Sequence, residues 1–385
     1  MPLDRYTEVT SRSCGQNLLA SCIGVFIGLA LFVGAFPLLW WNEQRALERT
    51  QALAQAAKIF VTAQAERVDA DQEGKLVYVT GEATTAEQLS DPTFGITLSQ
   101  TLRLRRTVRM YQWKEEKEER TEKEVGGGSR THTTYSYKKA WSEDVHDSAA
   151  FRHPDGHQNP AQKPYESAMF TAPAVRLGAF TLADAQLQKL YNFTAYPVDA
   201  ALAKRLPTAA QHLKVHDGEY YAGANPAAPQ IGDARISFAT VPQGPVSLMA
   251  QQVGQTFSPY GDGNRTIHLV EQGVWSAEKL LQHAQQQNTL LTWILRAAGA
   301  LMMVIGIAMC FGPITALANI LPFLGNIAEA GTGCAAAGMG VALAAATIAV
   351  AWVAVRPLIG IPMLLGVVAL CYLVAARGKG KRGTR

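Results

Sequence analysis

The chain has 385 residues, 48% of them hydrophobic and only 17% charged, with a formal net charge of +4. A charged fraction below the roughly 25% of soluble domains points to a membrane protein. All five cysteines (Cys14, Cys22, Cys310, Cys334 and Cys371) lie in or beside apolar runs, which excludes a disulfide framework or a CxxC metal site elsewhere in the chain.

Residues 1–16 form a short arm carrying Arg5 and Arg12. The 25 residues from Asn17 to Trp41 contain no charge, and about 20 suffice to cross a hydrocarbon core. A secretory signal would be shorter, and Trp40 with Trp41 suits the interfacial aromatic belt. Residues 17–41 therefore read as a transmembrane helix, and Gly24 with Gly28 forms a GxxxG on it where a second helix can approach closely. The Ala- and Gln-rich "NEQRALERTQALAQAAKI" continues as a helical stalk. "IFVTAQAERV" and "KLVYVTG" follow as strands around the turn "DADQEG".

Between Thr101 and Trp141 the chain is rich in Arg, Tyr and Trp, a mixture that invites a nucleic-acid reading. From Lys114 to Glu124, however, four basic residues face six acidic ones, and a polyanion needs the opposite balance. Leu102, Leu104, Val108 and Met110 alternate with Arg103, Arg105, Thr107 and Arg109, the period-two pattern of a half-buried strand. "EVGGGS" reverses the chain, and the segment reads as a solvated hairpin. Tyr111, Trp113, Tyr135, Tyr137 and Trp141 are its candidate aromatic core, and Ser129 at the tip is the candidate partner surface.

"DAQLQKLY" and "PVDAALAKRL" predict short helices, with Asp184 as a cap and Pro197 in a first turn. "LKVHDGEYYAG" predicts a hairpin around Asp217 and Gly218. "ARISFATV", "VSLMAQQV" and "RTIHLVEQG" extend the sheet, and "SAEKLLQHAQQQN" returns as a helix capped by Ser276. "KLVYVTGEATTAEQLSDPTFGI" and "GEYYAGANPAAPQIGDARISF" compare either as an internal repeat of two β modules or as two ordinary strand-turn-strand units. His212 with His216 has the four-residue spacing of a helical pair, while Pro154 and Gly156 argue that His153 and His157 lie on a loop. Two ligands fall short of a metal site, so surface or hydrogen-bonding roles stand beside metal binding. Glu43 and Asp91 are dispersed carboxylates with no sign of approach.

Three further apolar runs, 289–312, 331–355 and 357–376, complete four spans. Gly340 and Ala344 repeat the small-residue spacing, while "GTGCAA" mimics a dinucleotide fingerprint outside any βαβ context. Arg296 and Arg356 lie where snorkelling reaches an interface. Residues 313–330 read as an interfacial or re-entrant segment broken at Pro322, and Glu329 gives a pore lining thin support. The tail 377–385 is basic. By the positive-inside rule both ends are cytoplasmic, and residues 42–288 form one extracytoplasmic domain. The fold class is thus a polytopic α-helical membrane protein of four spans, with a large β-rich α+β extracytoplasmic domain between spans one and two.

"WNEQRA" (41–46), "LSDPTFG" (89–95), "LRLRRTVRMYQW", "YSYKKAW", "GHQNP" (156–160), "GDARISF" (232–238) and "WILRAAG" (293–299) resemble the transmembrane protein 43 (LUMA) family over nearly the whole chain. The resemblance implies a four-span protein. Animal members are proteins of the endoplasmic reticulum and inner nuclear membrane that associate with lamins and emerin and organise membrane protein complexes. The Ala and Gln content points to a bacterial source, which would place the chain in an inner membrane without a lamina.

No nucleophile elbow, HExxH, P-loop or kinase signature occurs. The expected function is a non-enzymatic scaffold or sensor of the membrane, with no cofactor, catalytic residue or metal ligand assigned. Its expected partners are the lipid bilayer, other membrane proteins and a further copy of itself, and not nucleic acid. A channel or transport component is the first alternative, and a membrane-bound metal-dependent enzyme the second.

Overall fold

The computed structural model describes residues 4–319 and 322–355, with positions 362, 365, 366 and 369 besides. Two compact units divide the chain: a β domain (Met1–Thr7, Gln55–Glu118 and Thr134–Gln282) and a helical unit (Glu8–Ala54, Glu119–Thr133 and His283–Arg385).

Strand β1 (Arg5–Arg12) precedes helix α1 (Cys14–Ile59). Then come β2 (Val61–Thr62), β3 (Leu76–Thr84), β4 (Leu89–Asp91), β5 (Ile96–Leu98), β6 (Thr101–Lys123) and β7 (Ser129–Ser142). After them run β8 (Ala168–Thr171), β9 (Val175–Leu177), β10 (Phe180–Leu182), α2 (Asp184–Leu187), β11 (Thr194–Tyr196), α3 (Ala200–Ala203), β12 (Lys214–His216) and β13 (Glu219–Ala222). The last strands are β14 (Ala234–Pro242), β15 (Gly244–Val253), β16 (Thr256–Ser258) and β17 (Leu269–Gln272), before α4 (Ala277–Cys310), α5 (Gly312–Ala318) and α6 (Pro322–Val355).

One sheet has the order β1-β7-β6-β14-β13-β12, with β11 joined to β14 and β8 to β6; the other has the order β10-β9-β3-β15-β16, with β17 on β15 and β2 on β3. Each is organised by one long antiparallel pair, β6 with β14 and β3 with β15. Each has its own core. Val77, Val79, Leu177, Phe180 and Leu248 pack on the second sheet. Phe94, Ile96, Leu104, Val108, Tyr220, Ile236 and Phe238 pack on the first.

Local chemistry explains the turns. Asp217 and Gly218 both have positive φ, 50° and 74°, joining β12 to β13 as a two-residue type I′ loop. His216 therefore lies in a strand, and no helical face holds it with His212. The cap of α3 is Asp199, whose carboxylate accepts from Leu202 N at 2.8 Å, and Asp184 is the first residue of α2 after Ala183 rather than its cap. In β6 the apolar residues are buried as the alternation requires, but Arg103 and Arg106 are buried too. Arg103 Nη1 donates to the carbonyls of Gln188 and Leu190. Arg106 Nη1 donates to both oxygens of Asp91, at 2.8 and 2.7 Å. The "LSDPTFG" loop is held by that pair. Its Gly95 has φ 61°, and a Cβ there would sit 2.3 Å from Arg205 O, so no side chain fits.

Among the described residues, three helices are long and apolar enough to cross a membrane: α1, α4 and the Ala330–Ala354 part of α6. The expected fourth span, 357–376, lies outside the described residues apart from isolated positions, as does Arg356. Of residues 313–330, expected as an interfacial or re-entrant segment broken at Pro322, those described lie in α5, at Asn319 after it and in the first turns of α6, which opens at Pro322, a residue suited to a first helical turn. At about 1.5 Å per residue, the 46-residue α1 is about 69 Å long, more than twice a hydrocarbon core of about 30 Å.

Candidate functional site

Within the helical unit, α1 and α4 pack antiparallel through glycines. A Cβ on Gly28 would lie 2.7 Å from Gly306 O, and one on Gly299 2.5 Å from a Leu39 methyl. Gly340 of α6 lies against Val304, where a Cβ would come within 2.8 Å of backbone. Ala344 is buried with Ala35, Leu39 and Met303, and a Cβ on Gly24 would meet the Met309 methyl at an unstrained 3.7 Å. Small residues allow such approach where lipid offers no hydrophobic drive for helices to associate.

The contact ends in a cluster of polar side chains. Arg296 of α4 donates from Nε and Nη2 to the two oxygens of Glu43 on α1, at 2.7 and 2.8 Å. Trp352 Nε1 of α6 donates to the same carboxylate at 2.5 Å. The Arg296 guanidinium also lies 4.8 Å from the Trp293 ring centroid and 5.6 Å from that of Trp352, within cation–π range. One turn on, Arg45 donates to Asn288 Oδ1, Asn42 Oδ1 and Thr292 Oγ1, while Asn42 Nδ2 donates to Thr292 O. A cavity of about 150 Å³ opens beside Glu43, Thr50, Gln285, Asn288 and Trp293.

Glu43 is 4% exposed, so these donors stand in for the water it gives up. A bidentate guanidinium pair with a third donor satisfies the lone pairs of a carboxylate away from bulk water. Trp40 and Trp41 precede Glu43 in the chain, Trp293 precedes Arg296, and all three are exposed, as aromatic side chains that favour a membrane–water interface would be. Arg296, expected to snorkel, is paired instead. Sequence reasoning named Glu43 and Arg296 separately. The one local signal was a charge at the edge of each apolar run, and their partnership spans most of the chain.

The other predicted residues fall elsewhere. Of the five candidate aromatics, Tyr137 alone is buried; Tyr111, Trp113, Tyr135 and Trp141 are half-buried. The packed aromatic centre is instead Phe94, Tyr220 and Phe238. Tyr137 stacks on His157 at 3.9 Å and donates to Glu115 Oε2 at 2.6 Å. Burial, and then that carboxylate, push its phenol well above the usual value. His157 is fully buried, with Nδ1 on His153 O at 3.0 Å and Nε2 3.6 Å from Asp4 Oδ1. Asn159 of "GHQNP" binds both backbone groups of Trp113. Among the described residues no group of three or more His, Cys, Asp or Glu could hold a metal ion.

Ser129 is not free at the hairpin tip. Its Oγ donates to Asn17 Oδ1 at 3.1 Å, and Asn17 Nδ2 donates to Gly127 O at 3.1 Å. The charge rule puts Asn17 and Ser129 on opposite faces of a membrane; these bonds put both at one end of α1. The reason is a long-range strand pairing, β1 with β7, which a count of charges does not register.

A family model described as Transmembrane protein 43 matches residues 110–357. Transmembrane protein 43 of Mus musculus is 32% identical over 374 residues, covering 94% of this chain and 91% of its own. The Homo sapiens protein of that name is 31% identical over the same lengths. The Drosophila melanogaster Transmembrane protein 43 homolog is 30% identical over 356 residues, 88% of this chain and 90% of its own. These are animal proteins and lend no support to the bacterial source read from Ala and Gln content. No solved structure matches.

Proposed function

The chain belongs to the transmembrane protein 43 family, and we propose that it works as a non-enzymatic membrane scaffold or sensor, organising membrane protein complexes with its β domain as the interaction surface. The observation that supports this reading is the Glu43–Arg296–Trp352 cluster, in which the buried carboxylate of Glu43 is taken up by donors of the bundle itself. A transport path presents such groups to its ions, and a catalytic centre presents them to substrate. Here three helices are tied at one carboxylate, so its lone pairs are committed to holding the bundle. The test has two arms. Purified protein in liposomes is expected to pass no more ions than protein-free liposomes, and crosslinked membranes are expected to yield a reproducible partner lost when residues 60–282 are deleted. Ion flux abolished by Glu43→Gln would replace the scaffold with a channel.

A further inference from the structure

Side chains alternate between the faces of a strand. With Val108 of β6 and Ile236 of β14 packed in the core, Arg109, Tyr111 and Trp113 of β6 share the opposite face of the sheet with Arg235 of β14. Trp141 and Lys139 of β7 join them: the Trp141 ring lies 5.1 Å from that of Tyr111, and Lys139 Nζ 4.7 Å from the Trp113 centroid. The three aromatic residues are half-buried and Lys139 is exposed. Arg235 stands directly across the β6–β14 pair from Arg109, and like charges so placed repel. Glu219 compensates one of the two, accepting from Arg109 Nη2 at 2.6 Å. The other is uncompensated. Its guanidinium lies 4.4 Å from the Trp141 centroid, and among the described residues neither Arg235 nor Lys139 has a carboxylate or hydrogen-bond partner. Of the Arg235 nitrogens only Nε is buried without a partner, so Nη1 and Nη2 reach the surface with hydrogens to donate. The acids nearby are occupied: Asp233 accepts from Tyr221 Oη and Gln230 N, and Glu115 from Tyr137 Oη and Arg152 N.

We propose that this face docks an acidic segment of a partner protein, one carboxylate accepting from Arg235 Nη1 and Nη2 and a second reaching Lys139. The proposal rests on the reading of the β domain as an interaction surface and names the chemistry of its partner. An arginine held over an indole keeps its edge for a carboxylate, and Trp, Tyr and Arg are the residues in which protein interfaces concentrate affinity. An anionic membrane is bound instead by clusters of roughly four to eight Lys or Arg; this face has three cations, one of them already paired. The full chain in phosphatidylcholine nanodiscs is titrated with labelled oligoglutamate, or with oligoglutamine of the same length, and binding is read by fluorescence anisotropy. Oligoglutamate alone is expected to bind. Arg235→Gln is expected to weaken binding about tenfold, as loss of a hydrogen bond to a charged group does, and Arg235→Lys to recover part of that loss. Lys139→Gln, at an exposed position, is expected to weaken it less, as an exposed ion pair does. Arg265→Gln, exposed between β16 and β17 of the other sheet, is expected to bind as the native chain does. Equal binding of the two peptides, binding unchanged in both Arg235→Gln and Lys139→Gln, an equal loss in Arg265→Gln, or displacement of the peptide by an equal concentration of glycerophosphoserine overturns the proposal. A crosslinked partner that survives Arg235→Gln but not deletion of residues 60–282 overturns this site and leaves the scaffold reading standing.

Discussion

Gln186 turns its amide oxygen to Ala183 N and so offers its nitrogen to His268 Nε2, at 3.0 Å. That nitrogen must accept, so the ring is neutral with its proton on Nδ1. Burial first, and then the Lys189 charge, lower the His268 pKa to about 4. The unfolded ring titrates near 6.5, so folding excludes a proton between the two values. Its contribution to stability is complete above about pH 6.5 and is lost as pH falls toward 4. Melting temperature should fall between pH 7 and 4.5 more steeply in the native chain than in His268→Gln, and parallel slopes would remove the assignment. Asp91 presents a different case, a fully buried carboxylate held by Arg106. Asp91→Ala strands the guanidinium and should cost about 3–5 kcal/mol, whereas the double change Asp91→Leu with Arg106→Met should cost much less. Denaturant titration of both variants decides it: equal losses would mean that shape, and not charge, holds the "LSDPTFG" loop.

The glycines of α6 differ in what they meet. Gly340 lies against Val304 of α4, while a Cβ on Gly331, Gly333 or Gly338 would meet nothing within 4 Å. Gly340→Leu and Gly28→Leu should therefore part the helices and lower thermal stability in detergent, and Gly333→Leu should be neutral; a uniform response across the three would show that helix propensity, not packing, is being measured. Gly28 and Gly340 could be named from local spacing, whereas the residues they face on α4, Gly306 and Val304, could not. Legible too were α1, the β12–β13 turn and the apolar side of β6, each written in a short period or a dipeptide. Burial of Arg103 and Arg106 was not legible, because their partners, Leu190 and Asp91, come from other parts of the chain and override the alternation. Strand β1 was not legible either. "RYTEVTSR" is polar throughout and earns its place only by pairing with β7. The aromatic candidates were misplaced for a related reason: aromatic density marks β6 and β7, but the tightest packing surrounds Phe94, which a short loop delivers.

Three helices far apart in sequence meet at the Glu43 carboxylate, so the bundle as a whole answers to one charge. Removing Arg296 leaves Glu43 with Trp352 as its remaining donor, and a break of this kind costs about 3–5 kcal/mol where the pair is buried. Arg296→Glu should do worse, since two carboxylates then share one site and the approach at Gly28 and Gly299 holds them together. Reversing both, Glu43→Arg with Arg296→Glu, restores opposite charges between α1 and α4 but sets an arginine against Trp352 Nε1, which can then donate to nothing at position 43. The double variant should recover much of the loss and stop short of the native value by about 1.5–3 kcal/mol, the worth of a hydrogen bond to a charged group. Trp352→Phe in the native background should cost the same amount, and added to the double variant it should cost little more. Retention of monodisperse protein in detergent after stepped heating measures all five chains on one scale. If the double reversal is no more stable than Arg296→Glu alone, the cluster does not hold the helices together by its charges, and the observation on which the scaffold reading rests is lost.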